Sequence, residues 1–220
     1  MIRPFGEAAL LVETGSAERA QTLAAGLRHD PIAGVTAGVP GLESLLVELD
    51  PQESDVSSVR DALERRLAEP GEVESGARLR TIPVVYGGEM GPDLQDVAAL
   101  TGLAPGEVIA RHAATKLHVL FDGFAPGFAY LGDLPQDLRV PRLDTPRTRT
   151  PAGSVAIAGA MSGIYPAALP GGWRVIGRTP VTLFDPRRDP PAYLLPGDRV
   201  GFAPIAGAAW DDHAGAPDDW

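Results

Sequence analysis

Apolar residues follow two rhythms along this chain, and the change between them divides it. Over residues 1–85, short alternating runs are interleaved with segments of helical period. Ala9–Glu13 alternates as a half-buried strand does. From Ser16 to Leu27 the apolar spacing is helical, with Ser16 placed as N-cap and Arg19 and Gln21 on the polar face. Val35–Val39 and Ser44–Leu49 read as strands joined across Pro40-Gly41. Ser54 or Asp55 can cap a second helix through Leu67. Pro70-Gly71 breaks the pattern, and Leu79–Val85 begins another strand. The order β-α-β-β-α-β predicts an α+β unit of ferredoxin-like type, with helices on one face of a small antiparallel sheet.

Tyr86-Gly-Gly-Glu-Met-Gly-Pro92 punctuates the chain, and two short helices follow, at about Pro92–Thr101 and Pro105–Thr115. Helical period then disappears. Leu117–Phe121, Ser154–Ala158, Val175–Gly177, Val181–Phe184 and Arg199–Ala203 read as short strands between Gly/Pro turns. That pattern predicts a β-barrel or sandwich. The expected organisation is an α+β domain over 1–85, a barrel domain over 86–207, and an acidic tail over 208–220. The tail is poor in apolar residues before Trp220 and is expected to be mobile.

Composition narrows the function classes. No apolar run approaches the roughly 20 residues of a membrane span. Met1-Ile-Arg-Pro-Phe-Gly-Glu lacks the pattern of a signal peptide. With no cysteine in its 220 residues, the chain has no disulfide, thiolate metal site or cysteine nucleophile. A cytoplasmic protein is expected. The net charge of −10 argues against nucleic-acid binding, which relies on basic surface. Charge is uneven, however. Residues 131–200 hold nine arginines against six aspartates, a net +3, so the remainder carries −13. Guanidinium groups suit carboxylates and phosphates.

Candidate chemistry gathers in three segments rich in glycine and proline: Gly123–Gly132, Thr145–Ser154 and Pro170–Thr179. Such residues shape loops, and shaped loops on a rigid scaffold carry function. Standard constellations are missing. The four histidines lack metal-ligand spacing, so no metal site is expected. Gly153-Ser154 is not a G-x-S-x-G elbow, and there is no P-loop. His112, on a predicted helix shortly before the Gly123 loop, could shuttle a proton or simply be structural. Phe124, Phe128 and Tyr130 could be core, yet Pro126 and Gly127 favour a bend that exposes at least one ring. Ser154 reads equally as turn hydroxyl or ligand contact. Trp173 packs the barrel mouth or marks a partner interface.

Gly-Phe-Ala-Pro-Gly-Phe-Ala-Tyr-Leu, Pro-Arg-x-x-x-Pro-Arg-x-x-x-Pro-Ala-Gly-Ser-Val-Ala-Ile-Ala-Gly, Gly-Ile-Tyr-Pro and Pro-Gly-Gly-Trp-x-x-Ile-Gly-Arg-Thr-Pro together resemble the 5-oxoprolinase B-subunit family. Its members are also described as allophanate hydrolase subunit 1 or Kip-inhibitor-like carboxyltransferase-domain proteins. Tyr86-Gly-Gly-Glu, Gly91-Pro-Asp-Leu and Pro196-Gly-Asp fit the same pattern, which is strongest from about Tyr86 to Ile205. The resemblance implies a cyclophilin-like barrel after a small α+β domain. It implies two partners, a homologous C subunit plus a TIM-barrel-like A subunit. The three together would cleave 5-oxo-L-proline to glutamate with ATP, a requirement of the complex. Rival readings are an inhibitor of a sensor histidine kinase and a component of an allophanate hydrolase or urea-carboxylase-type complex. The chain lacks a biotin-carrier lysine motif.

Carried over by motif, the candidates for substrate site or subunit interface are Gly123, Phe124, Pro126, Gly127, Phe128, Pro141, Pro151, Gly153, Tyr165, Pro166, Gly171, Gly172 and Trp173. The candidate catalytic residues are Arg142, Arg147, Ser154, Tyr130 and His112. Arg142 and Arg147 would hold the anionic substrate or a phosphorylated intermediate. Backbone N–H groups near Gly153-Ser154 would stabilise an oxyanion, while Tyr130 and Tyr165 position the ring. Asp122 departs from the family, which commonly has an apolar residue there. If it faces inward, it would weaken anion binding nearby.

Overall fold

Ile2–Pro4 (β1) and Ala9–Glu13 (β2) form a hairpin that opens the first of two units, Met1–Gly76 and Ala77–Trp220. The structure, a computed structural model, describes residues 1–68, 78–217 and 220. After β2 come α1 (Ala17–His29), β3 (Val35–Pro40), β4 (Ser44–Leu49) and α2 (Val56–Ala68). Ser16 caps α1 as its sequence position predicts, accepting a hydrogen bond from the Arg19 amide. The antiparallel sheet runs β1-β2-β4-β3. Leu10, Val12, Leu45, Val47 and Leu49 alternate onto one face and meet Leu23, Ala24 and Leu27 of α1 and Val59 and Leu63 of α2. The β-α-β-β-α run therefore folds together, but its last expected strand does not join it. Ile2–Pro4 takes the edge beside β2, and the Leu79 strand leaves for the second unit. The Pro70-Gly71 break lies outside the described residues.

That strand, β5 (Leu79–Tyr86), is followed by α3 (Leu94–Thr101), α4 (Pro105–Ala114), β6 (Leu117–Asp122), β7 (Ala129–Gly132), β8 (Arg147–Thr150), β9 (Ser154–Ala158), β10 (Met161–Ile164), β11 (Leu169–Gly171), β12 (Arg174–Arg178) and β13 (Arg199–Pro204). Seven strands close into a barrel in the order β10-β7-β6-β13-β5-β12-β9, while β8 and β11 form a separate hairpin. Neighbouring barrel strands are antiparallel except β13 and β5. Strand alternation sends Ile82, Val84, Val119, Leu131, Val155, Ile157, Ile164 and Ile176 into one buried cluster.

One expectation fails here. Val181–Phe184, expected as a strand, makes only isolated bridges, to Gly215 and Ala192. The described residues of the tail make specific contacts. Thr182 N–H donates to Gly215 O at 2.7 Å, and the Trp220 indole N–H donates to Pro190 O at 2.9 Å. Arg188 lies 4.8 Å from the Trp220 ring centroid and Arg178 5.4 Å from that of Trp210. The two tryptophans anchor a segment whose remaining composition is that of a solvated tail.

Candidate functional site

The alternation that sends Val155 and Ile157 of β9 into the barrel sends Ala156 and Ala158 to its outer face. The small alanines leave room there for a second apolar cluster, built by Phe128, Tyr165, Trp173 and Val175, with Ala125, Tyr130, Met161 and Leu169 against it. Phe128 is its hub. Its ring meets those of Phe124, Tyr130, Tyr165 and Trp173 edge-on, at centroid distances of 5.4, 5.0, 5.3 and 5.9 Å. Tyr130 stacks on Phe121 at 4.4 Å. The structure thus gathers Phe124, Phe128, Tyr130, Tyr165 and Trp173 onto one face from three separate motifs.

Backbone geometry explains the glycines and prolines around them. Gly153 has φ +79°, and a Cβ there would stand 2.1 Å from Thr179 O. A side chain on Gly171 would strike the Tyr165 hydroxyl. Leu143 N–H donates to Gly172 O at 2.7 Å and lays the Pro141–Pro146 segment over the Gly171–Trp173 turn. Pro126 and Pro151 are exposed, and Pro166 is half-buried. Gly123 N–H closes the first loop on Phe128 O, and Gly127 lies against Phe184. Within that loop Phe124 has φ +67°, and Ala125 N–H donates to Gly123 O at 2.7 Å. This is a γ-turn of the strained, positive-φ kind, unusual for a bulky residue.

The candidate catalytic residues separate. Arg147 donates through both terminal nitrogens to Asp93, at 2.6 and 2.9 Å. Asp93 is buried at the start of α3 and also accepts from Val175 N–H at 2.6 Å. The guanidinium expected to hold substrate is therefore committed to a buried carboxylate that joins α3, β8 and β12. The Gly153 and Ser154 amides, expected to form an oxyanion hole, both donate to backbone carbonyls. Gly153 N–H already donates to Tyr165 O at 2.7 Å and Ser154 N–H to Pro151 O at 3.3 Å, and Ser154 is buried. Arg142 is exposed, 5.9 Å from the Trp173 ring centroid. It acts on Tyr165, whose phenol is raised by burial and partly lowered by the Trp173 backbone amide and the Arg142 charge.

His112 lies elsewhere. It is fully buried and in ring contact with Phe202 at 4.3 Å. Its Nδ1 is 2.8 Å from Tyr86 Oη and its Nε2 3.1 Å from Ser162 Oγ. Ser162 donates to Ala156 O, so it accepts from Nε2–H, and Nδ1 accepts from Tyr86. Burial lowers its pKa to about 3 and raises that of Tyr86. Both nitrogens of this buried imidazole, expected as a proton shuttle, are taken by protein partners. Asp122 faces inward: it pairs with Ala129, whose side chain joins the barrel core. Burial and Asp198 raise its pKa to about 7, and its Oδ1 is buried without a partner. Among the described residues no cluster of three or more His, Asp or Glu could hold a metal ion, and no helix is long and apolar enough to cross a membrane.

A closed barrel carrying a loop-covered aromatic face belongs to a known class. The family model for the carboxyltransferase domain, subdomain C and D, matches residues 1–194, and the chain belongs to that family. Within it, the chain is 43% identical over 206 residues to the 5-oxoprolinase B subunit of Escherichia coli O157:H7, covering 91% of this chain and 94% of that protein. It is 40% identical over 222 residues to the 5-oxoprolinase B subunit of Bacillus subtilis (strain 168), covering 93% and 92%. The solved structure of TTHA0988 superposes with a TM-score of 0.78 at 37% identity. That match covers 94% of this chain but only 40% of the TTHA0988 chain. The Kluyveromyces lactis urea amidolyase shares the fold, at TM-score 0.75 and 21% identity, over 96% of this chain and 15% of that one.

Proposed function

We propose that this chain is the B subunit of an ATP-dependent 5-oxoprolinase. It works in the cytoplasm with two partners, a homologous C subunit plus a TIM-barrel-like A subunit, to open 5-oxo-L-proline to L-glutamate. The observation that carries the reading is the extent of the likeness. Identity of 43% runs over 91% of this chain and 94% of a protein named for that role, so both units take part. The N-terminal unit is read as ferredoxin-like with an exchanged edge strand, and the barrel as cyclophilin-like. Fold similarity to urea amidolyase supports the allophanate or urea-type rival at the level of scaffold alone.

Opening an unstrained lactam needs carbonyl activation. Transfer of a phosphoryl group from ATP to the carbonyl oxygen, releasing ADP, supplies it; water then adds at that carbon, the C–N bond breaks to give the free amine and an acyl phosphate, and a second water hydrolyses the acyl phosphate to carboxylate and phosphate. With no P-loop in this chain, its contribution is to hold the substrate on the aromatic face. The test is reconstitution of the three subunits and assay of ATP-dependent glutamate release from 5-oxo-L-proline. Activity that persists when this chain is omitted would overturn the assignment.

A further inference from the structure

Resting on that reading, we propose that Arg142 and Phe124, set around the buried Trp173 ring, form the subsite for a small flat cyclic amide bearing a carboxylate, with the guanidinium taking the carboxylate and the exposed Phe124 ring the amide ring. Among the described residues, Arg142 is the cation that stands over a ring of the aromatic face. Arg147 is chelated by Asp93. Arg174 donates to Pro141 O at 3.0 Å and faces Asp96 at 3.6 Å. Arg178 donates to Ala152 O at 2.6 Å and lies over Trp210. Arg142 has no carboxylate partner among the described residues, yet it stands over the ring of a buried tryptophan. A guanidinium held near an indole face keeps its donor edges open for a carboxylate.

Phe124 supplies the second observation. Its ring is 59% exposed and so adds little to the core. A strained γ-turn nevertheless holds it edge-on to Phe128 and Tyr165, at 5.4 and 6.5 Å. Strain held in place by surrounding structure clusters at ligand clamps. Phe124 and Trp173 both lean on Phe128, so an apolar ring and the Arg142 cation share one aromatic floor. Amide rings pack on such surfaces, and the carboxylate fixes their orientation.

The test is an NMR titration of the full chain, alone and in the reconstituted complex, with 5-oxo-L-proline and with 2-pyrrolidinone, which lacks the carboxylate. The indole N–H of Trp173, assigned through Trp173→Phe, reports binding. Arg142→Ala should weaken binding of 5-oxo-L-proline about tenfold to a hundredfold. The same change should leave 2-pyrrolidinone unaffected, because Arg142 and the carboxylate act as one pair. Arg142→Lys should recover part of the loss. Phe124→Ala should weaken both ligands about threefold to tenfold. Exposed Arg149, which has no assigned role, should tolerate Arg149→Ala. No binding by the wild-type chain in either setting, or equal losses for the two ligands, overturns the subsite. The oxoprolinase reading fails separately: an inactive complex with an intact Arg142–carboxylate coupling overturns that reading alone.

Discussion

The inner and outer faces of the barrel are lined by the same strands but end in opposite states. Inside, the polar chain from Tyr86 through His112 and Ser162 to Ala156 O is closed at every link, and the surrounding side chains are mostly aliphatic, with Asp122 as the unpaired exception. Outside, β9 offers only Ala156 and Ala158, and aromatic rings from three loops fill the space above them. Here one ring remains exposed in a strained turn, and the guanidinium over Trp173 has no carboxylate partner among the described residues. A closed interior stabilises the scaffold. A surface built to the same density but left open at its edge is where a ligand can be held.

The contrast between the faces breaks most readily at Phe128. It is 2% exposed and touches four other rings, so Phe128→Ala should cost about 3–5 kcal/mol by urea denaturation. A loss below about 1 kcal/mol would mean that the outer cluster is not a core at all.

Arg147→Ala is next. It strips a buried carboxylate of its bidentate partner and should cost about 2–4 kcal/mol, allowing for the partial exposure of the arginine. A double-mutant cycle with Asp93→Asn should recover part of that loss, since the neutral amide no longer needs the cation. Two additive losses would show that the pair is not coupled.

Asp122 sharpens the boundary between the faces. Its pKa is 3.8 unfolded and about 7 folded, so the fold favours the neutral carboxyl. The stability this contributes is complete below 3.8 and is lost as pH rises through 7. Asp122→Asn imitates the neutral form. It should leave acid stability unchanged and raise stability by about 1–3 kcal/mol above pH ~8. Thermal unfolding across that range reads the difference, and a constant difference from acid to alkaline pH would sink the explanation.

Local pattern carried much of this architecture in the sequence. Strands β2 to β4 of the first unit and the helices α1 to α4 follow from alternation, helical spacing and breakers. Strand β10 did not show, because Ser162 and Gly163 interrupt any apolar alternation although both are buried. The edge exchange between β1 and β5 was equally hidden, since pattern marks a strand without naming its neighbour. The aromatic motifs were legible as a group, and their rings converge on one face. The roles of the arginines were not. Asp93 lies 54 positions from Arg147, and nothing local distinguishes Arg147 from Arg142. Only long-range pairing tells the framework cation from the one left facing outward.

That distinction yields the smallest expected effect on stability. Arg142 is exposed, its contact with Trp173 lies at the outer limit of a cation–π interaction, and no buried carboxylate is paired with it among the described residues. Arg142→Ala should therefore shift unfolding by no more than about 0.5 kcal/mol, against several times that for Arg147→Ala. Paired measurements in urea on the two variants decide the matter. Equal losses would place both arginines in the framework. A large loss at Arg147 beside a negligible one at Arg142 means that the second cation is retained for something other than holding the fold.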